Sequence, residues 1–409
     1  MSAYLDSPWP GEDGSPDRRQ VARHGPEMRI GDRLRATTRR TLMSTMTVLG
    51  APGEVFLLTH SVLRSHLKLP TSARVERIDP ETLAPLARSP QLPGGPMWPG
   101  GMAIHANGDL YVVYGRYAHR LDRQCRLKAS LRLPLNLAHN SFVILDNGLI
   151  VTKNLSDSVP ARLLVIDPDT LSIISTIDCP EPSIARLSAV GSTVYLVGVR
   201  SIFRYHWARG TLVRDEDWCH DYVGSTTQSY GWDVVLALGQ AWFMDNGRHR
   251  YQTSMIGRGV VQTPNRLIRV ALDDAQDHDA MAISGVDGGS ITNPPLIDSD
   301  RGIVIGFDSA NRVMRAWSFD PATRALTERW RKTGIGCASH MILLPRSGQM
   351  ITNDYRRGGE EVVFLNIETG AETGRVRIGG ITQGVVFPSV GWNNDVYWCS
   401  MRRVARIFC

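Results

Sequence analysis

The sequence lacks several features that would assign it to other protein classes. No apolar run approaches the roughly 20 residues that a membrane-spanning helix needs. Aromatic residues make up only 7% of the chain and are not interleaved with basic ones, which argues against a platform for single-stranded nucleic acid. Lys and Arg outnumber Asp and Glu by only 46 to 40, and no basic tract concentrates the excess. We therefore expect neither a nucleic-acid partner nor a membrane partner; the oligomeric state is left open.

The sequence also lacks several common motifs for metal, disulfide, nucleotide and nucleophile sites. The six cysteines form no CxxC pair and are too scattered for a zinc ribbon or a small disulfide framework. Buried thiols are the simpler interpretation, and they favour a reducing, cytoplasmic location. The glycine-rich spots at 94–95, 100–101 and 358–359 precede no helix, so no nucleotide-binding loop is predicted. No GxSxG nucleophile motif occurs.

What the sequence does contain is a repeat. Eight times, a turn residue is followed by a short apolar run with strand character, a recurrence typical of repeat architectures. The turn residues are Gly53, Gly108, Gly148, Gly191, Gly239, Gly302, Gly348 and Asn394. Each unit reads as four antiparallel strands without a convincing helix, which predicts an all-β, eight-bladed β-propeller of four-stranded blades, with seven blades as the alternative count.

The two ends of the chain predict how the ring closes. The last unit stops at Cys409 after three strands, so we expect a strand between about Met28 and Arg40 to complete it. Residues 28–409 then form a single propeller domain. Residues 1–27, which are rich in Pro, Gly and charge, are predicted to be a flexible tail.

A twin-arginine pair lies at Thr38-Arg39-Arg40-Thr41-Leu42. It precedes a modestly apolar run and could therefore be an export signal. The same run aligns with the first strand of every later repeat, and a long hydrophilic leader precedes it. We favour the structural interpretation, with export as the alternative to a cytoplasmic location.

On this architecture, the chain resembles the broad superfamily of quinoprotein-like and lactonase-like propellers, although no specific family motif is matched. The docking tryptophan repeats expected of quinoprotein dehydrogenases are missing, so no quinone cofactor is indicated. The WD40 pattern is absent, since Gly231-Trp232-Asp233 opens a first strand instead of ending a third one. The resemblance to lactonase-type propellers implies carboxylates and amides around the axis that hold a divalent cation.

Blade topology places the start of each first strand and the end of each second strand on one face, near the axis. Six positions after four of the turn residues, a carboxylate or an amide occurs, and these oxygen ligands suit Ca²⁺ or Mg²⁺. The predicted metal ligands are Asn154, Asp245, Asp308 and Asp354. The alternative is that each of them caps its own turn.

The same face supplies the remaining candidates. His340 is the predicted general acid or base, with Asp308 and Asp354 as further catalytic residues. An unusually long loop from Gly247 to Pro264 suggests a binding loop. The predicted substrate-binding residues are Arg248, Arg356, Trp232, Tyr355, Asn140 and Gln383.

Two functions remain after sequence analysis. The first is an enzyme, a hydrolase, lyase or isomerase, that acts in the axial funnel on a small anionic or carbonyl-bearing substrate. The alternative is a non-catalytic propeller that serves as a scaffold for protein–protein interaction.

Overall fold

The computed structural model describes residues 3–25, 27–28, 33–60, 64, 67, 69, 71–96, 99–139, 141–250, 257–356, 359–379 and 387–409. Its regular structure is almost entirely β-strand, with one 3-10 turn at Glu12–Gly14. Within these ranges, no helix is both long and apolar enough to cross a membrane.

The strands form eight antiparallel blades, which confirms the predicted fold class and count. The first four blades are as follows, each in chain order. Blade 1 contains β2 (Met43–Leu49), β3 (Val55–His60), β4 (Ser72–Ile78) and β5 (Pro85–Arg88), with β6 (Leu92–Pro93) also on β4; blade 2 contains β7 (Met102–Ile104), β8 (Leu110–Tyr114), β9 (Tyr117–Leu121) and β10 (Leu127–Arg132); blade 3 contains β11 (Phe142–Ile144), β12 (Ile150–Lys153), β13 (Ser156–Asp167) and β14 (Ser172–Ser183); and blade 4 contains β15 (Ser188–Val190), β16 (Thr193–Val197), β17 (Ser201–Ala208) and β18 (Thr211–Asp221).

The remaining blades follow the same order, and a short hairpin is inserted in blade 5. Blade 5 contains β19 (Val235–Ala237), β20 (Gln240–Met244), β23 (Arg266–Ala271) and β24 (His278–Ala282), with the hairpin β21 (His249–Arg250) and β22 (Arg258–Gly259) between its second and third strands; blade 6 contains β25 (Leu296–Asp298), β26 (Ile303–Asp308), β27 (Val313–Phe319) and β28 (Leu326–Thr333); blade 7 contains β29 (Ile342–Leu344), β30 (Gln349–Arg356), β31 (Gly359–Asn366) and β32 (Glu372–Arg377); and blade 8 contains β33 (Ser389–Val390), β34 (Asp395–Ser400), β35 (Arg403–Phe408) and β1 (Arg35–Arg40).

The ring closes as the sequence predicts. The N-terminal strand β1 pairs antiparallel with β35 over its whole length, from Arg35 opposite Phe408 to Arg40 opposite Arg403. The outer strand of the last blade therefore comes from the beginning of the chain. Arg39 and Arg40 belong to this strand.

Burial follows the position of each strand in its blade. Every residue of the second strands β3 and β26 is buried, because both faces of these strands pack against neighbouring blades. The outer strands alternate between half-buried and exposed residues, as in β1 and β5. The core is consequently divided among the interfaces between blades.

The turns between third and fourth strands show why Asp-Pro recurs. The Asp79 carboxylate accepts hydrogen bonds from the backbone N–H groups of Glu81 and Thr82, at 3.0 and 2.7 Å. Asp167 makes the equivalent pair of bonds in blade 3. In blade 7 the capping residue is Asn366. These side chains satisfy backbone donors that the turn would otherwise leave unpaired.

The N-terminal segment differs from the expected flexible tail. Residues 3–25 cross the inner edges of the blades, where their carbonyl groups accept hydrogen bonds from first strands. The donors are the backbone N–H groups of Leu49, Ile104, Ala189, Leu236 and Leu343, and the acceptors are the carbonyls of Trp9, Pro10, Pro16, Asp17 and Gln20. The composition suggested a flexible tail. The segment is ordered because its carbonyls pair with backbone N–H groups on the inner edges of the blades, which would otherwise lack hydrogen-bond acceptors. We call residues 3–25 the axial segment.

Candidate active site

The four predicted metal ligands lie at the ends of second strands, as expected, but their polar atoms are used within their own blades. Asn154 accepts a hydrogen bond from the N–H of Arg162 at 2.7 Å. Asp245 accepts one from the N–H of Arg266 at 2.6 Å and pairs with its guanidinium at 2.7 Å. Both side chains therefore fasten the start of a third strand. Burial raises the pKa of Asp245 to about 6 despite the pairing with Arg266.

Asp308 and Asp354 fasten the loops that lead into first strands. Asp308 accepts hydrogen bonds from the Ser284 hydroxyl at 2.5 Å and the Asn311 side chain at 2.8 Å. Asp354 accepts one from the Gly336 N–H at 2.8 Å and others from Arg356 and Arg375. Burial opposes ionisation of Asp354, yet these donors hold its pKa below the usual range.

These residues do not come together as one centre. Within the described part of the chain, no group of three or more His, Cys, Asp or Glu residues is arranged to hold a metal ion. Asp308 caps the turn that follows it, through the Asn311 N–H at 3.0 Å, whereas the other three residues bond to backbone groups eight or more positions away. The divalent cation stays a prediction from the sequence, without a cluster to support it here.

His340 lies at the axis, fully buried, with Nδ1 2.7 Å from the carboxylate of Asp13 in the axial segment. The same carboxylate pairs with Arg18 at 2.7 Å, and Arg18 pairs with Glu12 at 2.8 Å. Glu12 also accepts a hydrogen bond from Ser141 of blade 3 at 3.0 Å. This buried network ties the axial segment to opposite sides of the ring. The catalytic role of His340 stays a prediction.

Other charged side chains complete the axial region. Arg186 of blade 4 pairs with Asp233 at 3.0 Å, and its guanidinium lies 4.6 Å from the ring centre of Phe387. Phe387 in turn packs on His340, with ring centres 4.0 Å apart. Near the same end of blade 3, Lys153 is buried and donates to the Ser183 carbonyl at 3.0 Å. Burial lowers its pKa to about 7.

An open cavity of about 660 Å³ lies on the predicted face, over blades 3–5. Its walls come from loops between second and third strands and from the loop that leads into blade 5. The lining residues are Asp157, Val199, Gln228, Ser229, Tyr230, Arg248, His249, Arg250, Val260 and Val261. The volume is in the range of small-molecule sites. His340 is not part of this lining.

The long loop after β20 builds one wall of the cavity through its first residues. Asn246 adopts a positive φ of 59° and accepts a hydrogen bond from the Ser229 N–H at 3.0 Å. Gly247 follows, and a Cβ placed there would lie 1.9 Å from the indole of Trp232. Only glycine allows this contact, so the buried Trp232 supports the wall from below and is not part of the cavity lining.

Two arginines bring positive charge to the cavity. Among the described residues, the guanidinium groups of Arg248 and Arg250 have no hydrogen-bonded or ion-paired partner, and both side chains are exposed. The one carboxylate in the lining, Asp157, is exposed. Two guanidiniums therefore face one carboxylate, which favours an anionic ligand.

His249 and Tyr230 add groups suited to proton transfer and hydrogen bonding. His249 Nδ1 lies 3.0 Å from the Gly247 carbonyl, which can only accept, so Nδ1 carries the proton and Nε2 is the basic nitrogen. Burial lowers the pKa of His249, which keeps the imidazole neutral near pH 7. Burial raises the pKa of Tyr230 to about 12. The nearby Asp157 also raises this pKa, whereas Arg248 lowers it. Tyr230 is thus a neutral hydrogen-bond donor.

Two further predicted substrate-binding residues, Arg356 and Tyr355, lie outside the cavity lining. Arg356 of blade 7 donates to Asp354 at 2.8 Å. Tyr355 beside it is buried. Asn140 and Gln383 lie outside the described residues. Of the four that the structure describes, only Arg248 lines the cavity over blades 3–5.

Sequence reasoning placed His249 and Arg250 in the predicted binding loop without assigning them a role, and it missed the cavity residues Tyr230 and Asp157. The length of the loop after Gly247 was the available signal, and it indicated a binding loop. The contribution of Asp157 from blade 3 had no such signal, because it depends on how neighbouring blades present their loops.

Comparison with known proteins supports the fold but assigns no family and no activity. No protein-family model matches the chain, and no significant relative is found among curated proteins. Solved structures do match. A quinohemoprotein alcohol dehydrogenase, ADHIIG from Pseudomonas putida HK5, aligns with a TM-score of 0.64 and 9% identity over 99% of this chain and 80% of its own. BamB from Moraxella catarrhalis aligns with a TM-score of 0.56 and 13% identity over 91% of this chain and 98% of its own.

A computationally designed protein, Ika8, also aligns, with a TM-score of 0.56 and 10% identity over 95% of this chain and 99% of its own. Natural and designed proteins with different origins thus share this architecture. At such low identities the likeness shows the fold alone. The chain is an eight-bladed propeller similar to quinoprotein dehydrogenase and BamB propellers.

Proposed function

We propose that this protein is an enzyme that acts on a small anionic, carbonyl-bearing molecule in the cavity over blades 3–5. The observation that carries the proposal is the convergence on one open cavity of about 660 Å³ of an oriented histidine and two arginines that have no partner among the described residues. An ester or lactone that carries a carboxylate fits these groups. This location departs from the axial funnel expected from the sequence.

Four of the lining residues have a role in this proposal. Arg248 and Arg250 bind the anionic group of the substrate, since a guanidinium offers a planar pair of donors to a carboxylate. His249 acts through Nε2 as the general base that activates water, and the Gly247 carbonyl keeps the imidazole in the required tautomer. Tyr230 is placed to donate a hydrogen bond to the carbonyl oxygen. Hydrolysis converts an ester to an acid and an alcohol and a lactone to one hydroxy acid, and neither reaction needs a cofactor.

A panel of esters and lactones tests the proposal. Each carboxylate-bearing compound is paired with a neutral analogue of the same size, and kcat/KM is measured for the wild-type protein, R248Q and R250Q. We expect turnover of the charged members, with KM raised about tenfold or more in either arginine variant because one charge-assisted contact is lost.

The matched control is R132Q, which removes an arginine from the outer strand of blade 2, away from the cavity lining. It should leave kcat and KM unchanged. Equal turnover of charged and neutral compounds, or arginine variants that behave like R132Q, would contradict the assignment. Absence of turnover across the panel would favour the scaffold interpretation.

A further inference from the structure

A second, smaller cavity lies beside the point where the ring closes. It measures about 230 Å³, and its lining residues are Arg40, Thr41, Gly379, Met401, Arg402 and Arg403. Three of the six are arginines and none is acidic. We propose that this cavity binds a phosphate group, independently of the proposed enzyme site over blades 3–5.

The strand register creates the concentration of positive charge. Arg40 of β1 lies directly opposite Arg403 of β35, so the two side chains project from the same face of the sheet. Like charges in this arrangement are destabilising unless something neutralises them. Arg39, on the opposite face, is neutralised by Glu76 of blade 1. The fold thus pairs one arginine of the twin-arginine motif and leaves the other facing the cavity.

The guanidinium groups are available to a ligand. Across the described ranges, the guanidinium groups of Arg40 and Arg402 have no hydrogen-bonded or ion-paired partner. Arg403 donates from one nitrogen to the Ile378 carbonyl at 3.2 Å, which orients it and leaves other N–H groups free to bind. Arg406, three residues further along β35 and on its opposite face, is paired with Asp395 at 2.6 Å. The arginine of β35 that faces away from the cavity is therefore neutralised, and the one that faces it has no carboxylate partner among the described residues.

Blade 7 closes the cavity through Gly379. This residue adopts a φ of +65°, and a Cβ placed on it would lie 3.2 Å from a terminal nitrogen of Arg403. Glycine therefore lets the Arg403 guanidinium approach the backbone of the neighbouring blade. A ligand here would contact the closing strand β1, the hairpin between β34 and β35, and blade 7, so it would hold the ring seam together.

Size and charge favour phosphate over other anions. A cavity of about 230 Å³ has room for a phosphate and several waters, since a water occupies roughly 30 Å³ in the liquid. A monocarboxylate or a chloride ion brings one negative charge to three guanidiniums, whereas phosphate brings up to two and accepts hydrogen bonds on several oxygens.

Thermal unfolding tests the proposal. The Tm of the wild-type protein and of the double variant R40Q/R402Q is measured in sodium chloride and in increasing sodium phosphate, at pH 7 and matched ionic strength. We expect a saturable rise in Tm for the wild type, because a ligand that binds only the folded state stabilises it. The double variant should show only the non-saturating rise that phosphate gives by exclusion from protein surfaces.

The Tm values measured in sodium chloride give a second, independent test. Without phosphate, R40Q/R402Q should melt at or above the wild-type Tm, because the opposed charges have been removed. Isothermal titration should show at least about a tenfold weaker phosphate affinity for the variant. Identical phosphate titrations for the two proteins would overturn the proposal. So would a variant that melts below the wild type in chloride and retains the phosphate response.

Glycerol 3-phosphate, titrated in parallel, distinguishes the sources of the phosphate group. Tighter binding of the monoester would identify a phosphorylated metabolite as the ligand. Equal or tighter binding of inorganic phosphate would identify the free ion. Both results depend on Arg40 and Arg402, and neither depends on His249, so a failure of the enzyme proposal would leave this one standing.

Discussion

Single residues in this protein show how the partners of a buried ionisable group decide the direction of its pKa shift. Asp354 is buried among donors and its pKa falls, whereas Asp245 is buried with one arginine and its pKa rises to about 6. Lys153 has no carboxylate partner among the described residues, and its pKa falls to about 7. The same residue types on an exposed strand would titrate near their ordinary values.

Lys153 leads to a pH prediction. Because its pKa is lower in the folded state than the ordinary value of 10.5, the unfolded chain binds more protons between pH 7 and 10.5. The free energy of unfolding should therefore rise with pH across that window and be lowest below pH 7. K153M should remove this gradient, with a gain on the order of 5 kcal/mol at pH 6 that largely disappears towards pH 10.

Urea unfolding at pH 6, 8 and 10 measures this difference directly. K153R is the control, since an arginine stays charged across the range and should keep the protein least stable at every pH. A K153M curve parallel to the wild-type curve would show that the amine is not neutral in the folded protein near pH 8.

At the scale of elements, residues 3–25 form the axial segment and not the flexible tail that their composition suggested. Its carbonyls pair with inner strand edges, and its charged side chains Glu12, Asp13 and Arg18 form a buried network with His340. The strands, by contrast, could be predicted from local alternation and turn residues. The axial segment could not, because each of its contacts joins residues that are far apart in sequence.

The buried network yields a stability prediction. R18Q leaves two buried carboxylates without their cation, which should lower the free energy of unfolding by about 3–5 kcal/mol. R126Q breaks an exposed ion pair with Asp122 and should cost no more than about 1 kcal/mol. Urea unfolding gives both values. Limited proteolysis should also cut within residues 3–25 of R18Q and spare them in R126Q.

Equal stability of R18Q and R126Q would mean that the axial segment contributes little to the folded ring. In that case the network would be a passive feature of the channel, and the composition-based expectation of a loosely held tail would be closer to the behaviour in solution.

At the scale of the whole molecule, the repeat places equivalent positions on one face but does not say which loops form a site. The repeat predicts that Asn154, Asp245, Asp308 and Asp354 occupy equivalent positions in four blades. In the structure, their side chains hydrogen-bond to strands and loops within their own blades. The cavity over blades 3–5 arises instead from unequal loops, above all the hairpin β21–β22. Such differences between blades are invisible to a repeat pattern.

The metal prediction can be decided on the whole protein. Since the oxygens of these side chains already accept internal hydrogen bonds, we expect that EDTA leaves Tm within about 1 °C of its value in Ca²⁺ or Mg²⁺ buffer. Elemental analysis of the purified protein should find less than one divalent ion per chain. A chelator-induced fall in Tm that Ca²⁺ reverses, and that D308N abolishes, would establish the cation site expected from the sequence.

The proposed function places the chemistry over blades 3–5 and not at the axis. Steady-state kcat/KM of H249N and H340N on the best substrate of the carboxylate-bearing panel tests it most directly, with circular dichroism to confirm folding of both variants. We predict that H249N lowers kcat/KM by about 10²–10⁴ while folded H340N retains it within a factor of about three. A large loss in folded H340N with H249N unaffected would instead place the active site at the axis.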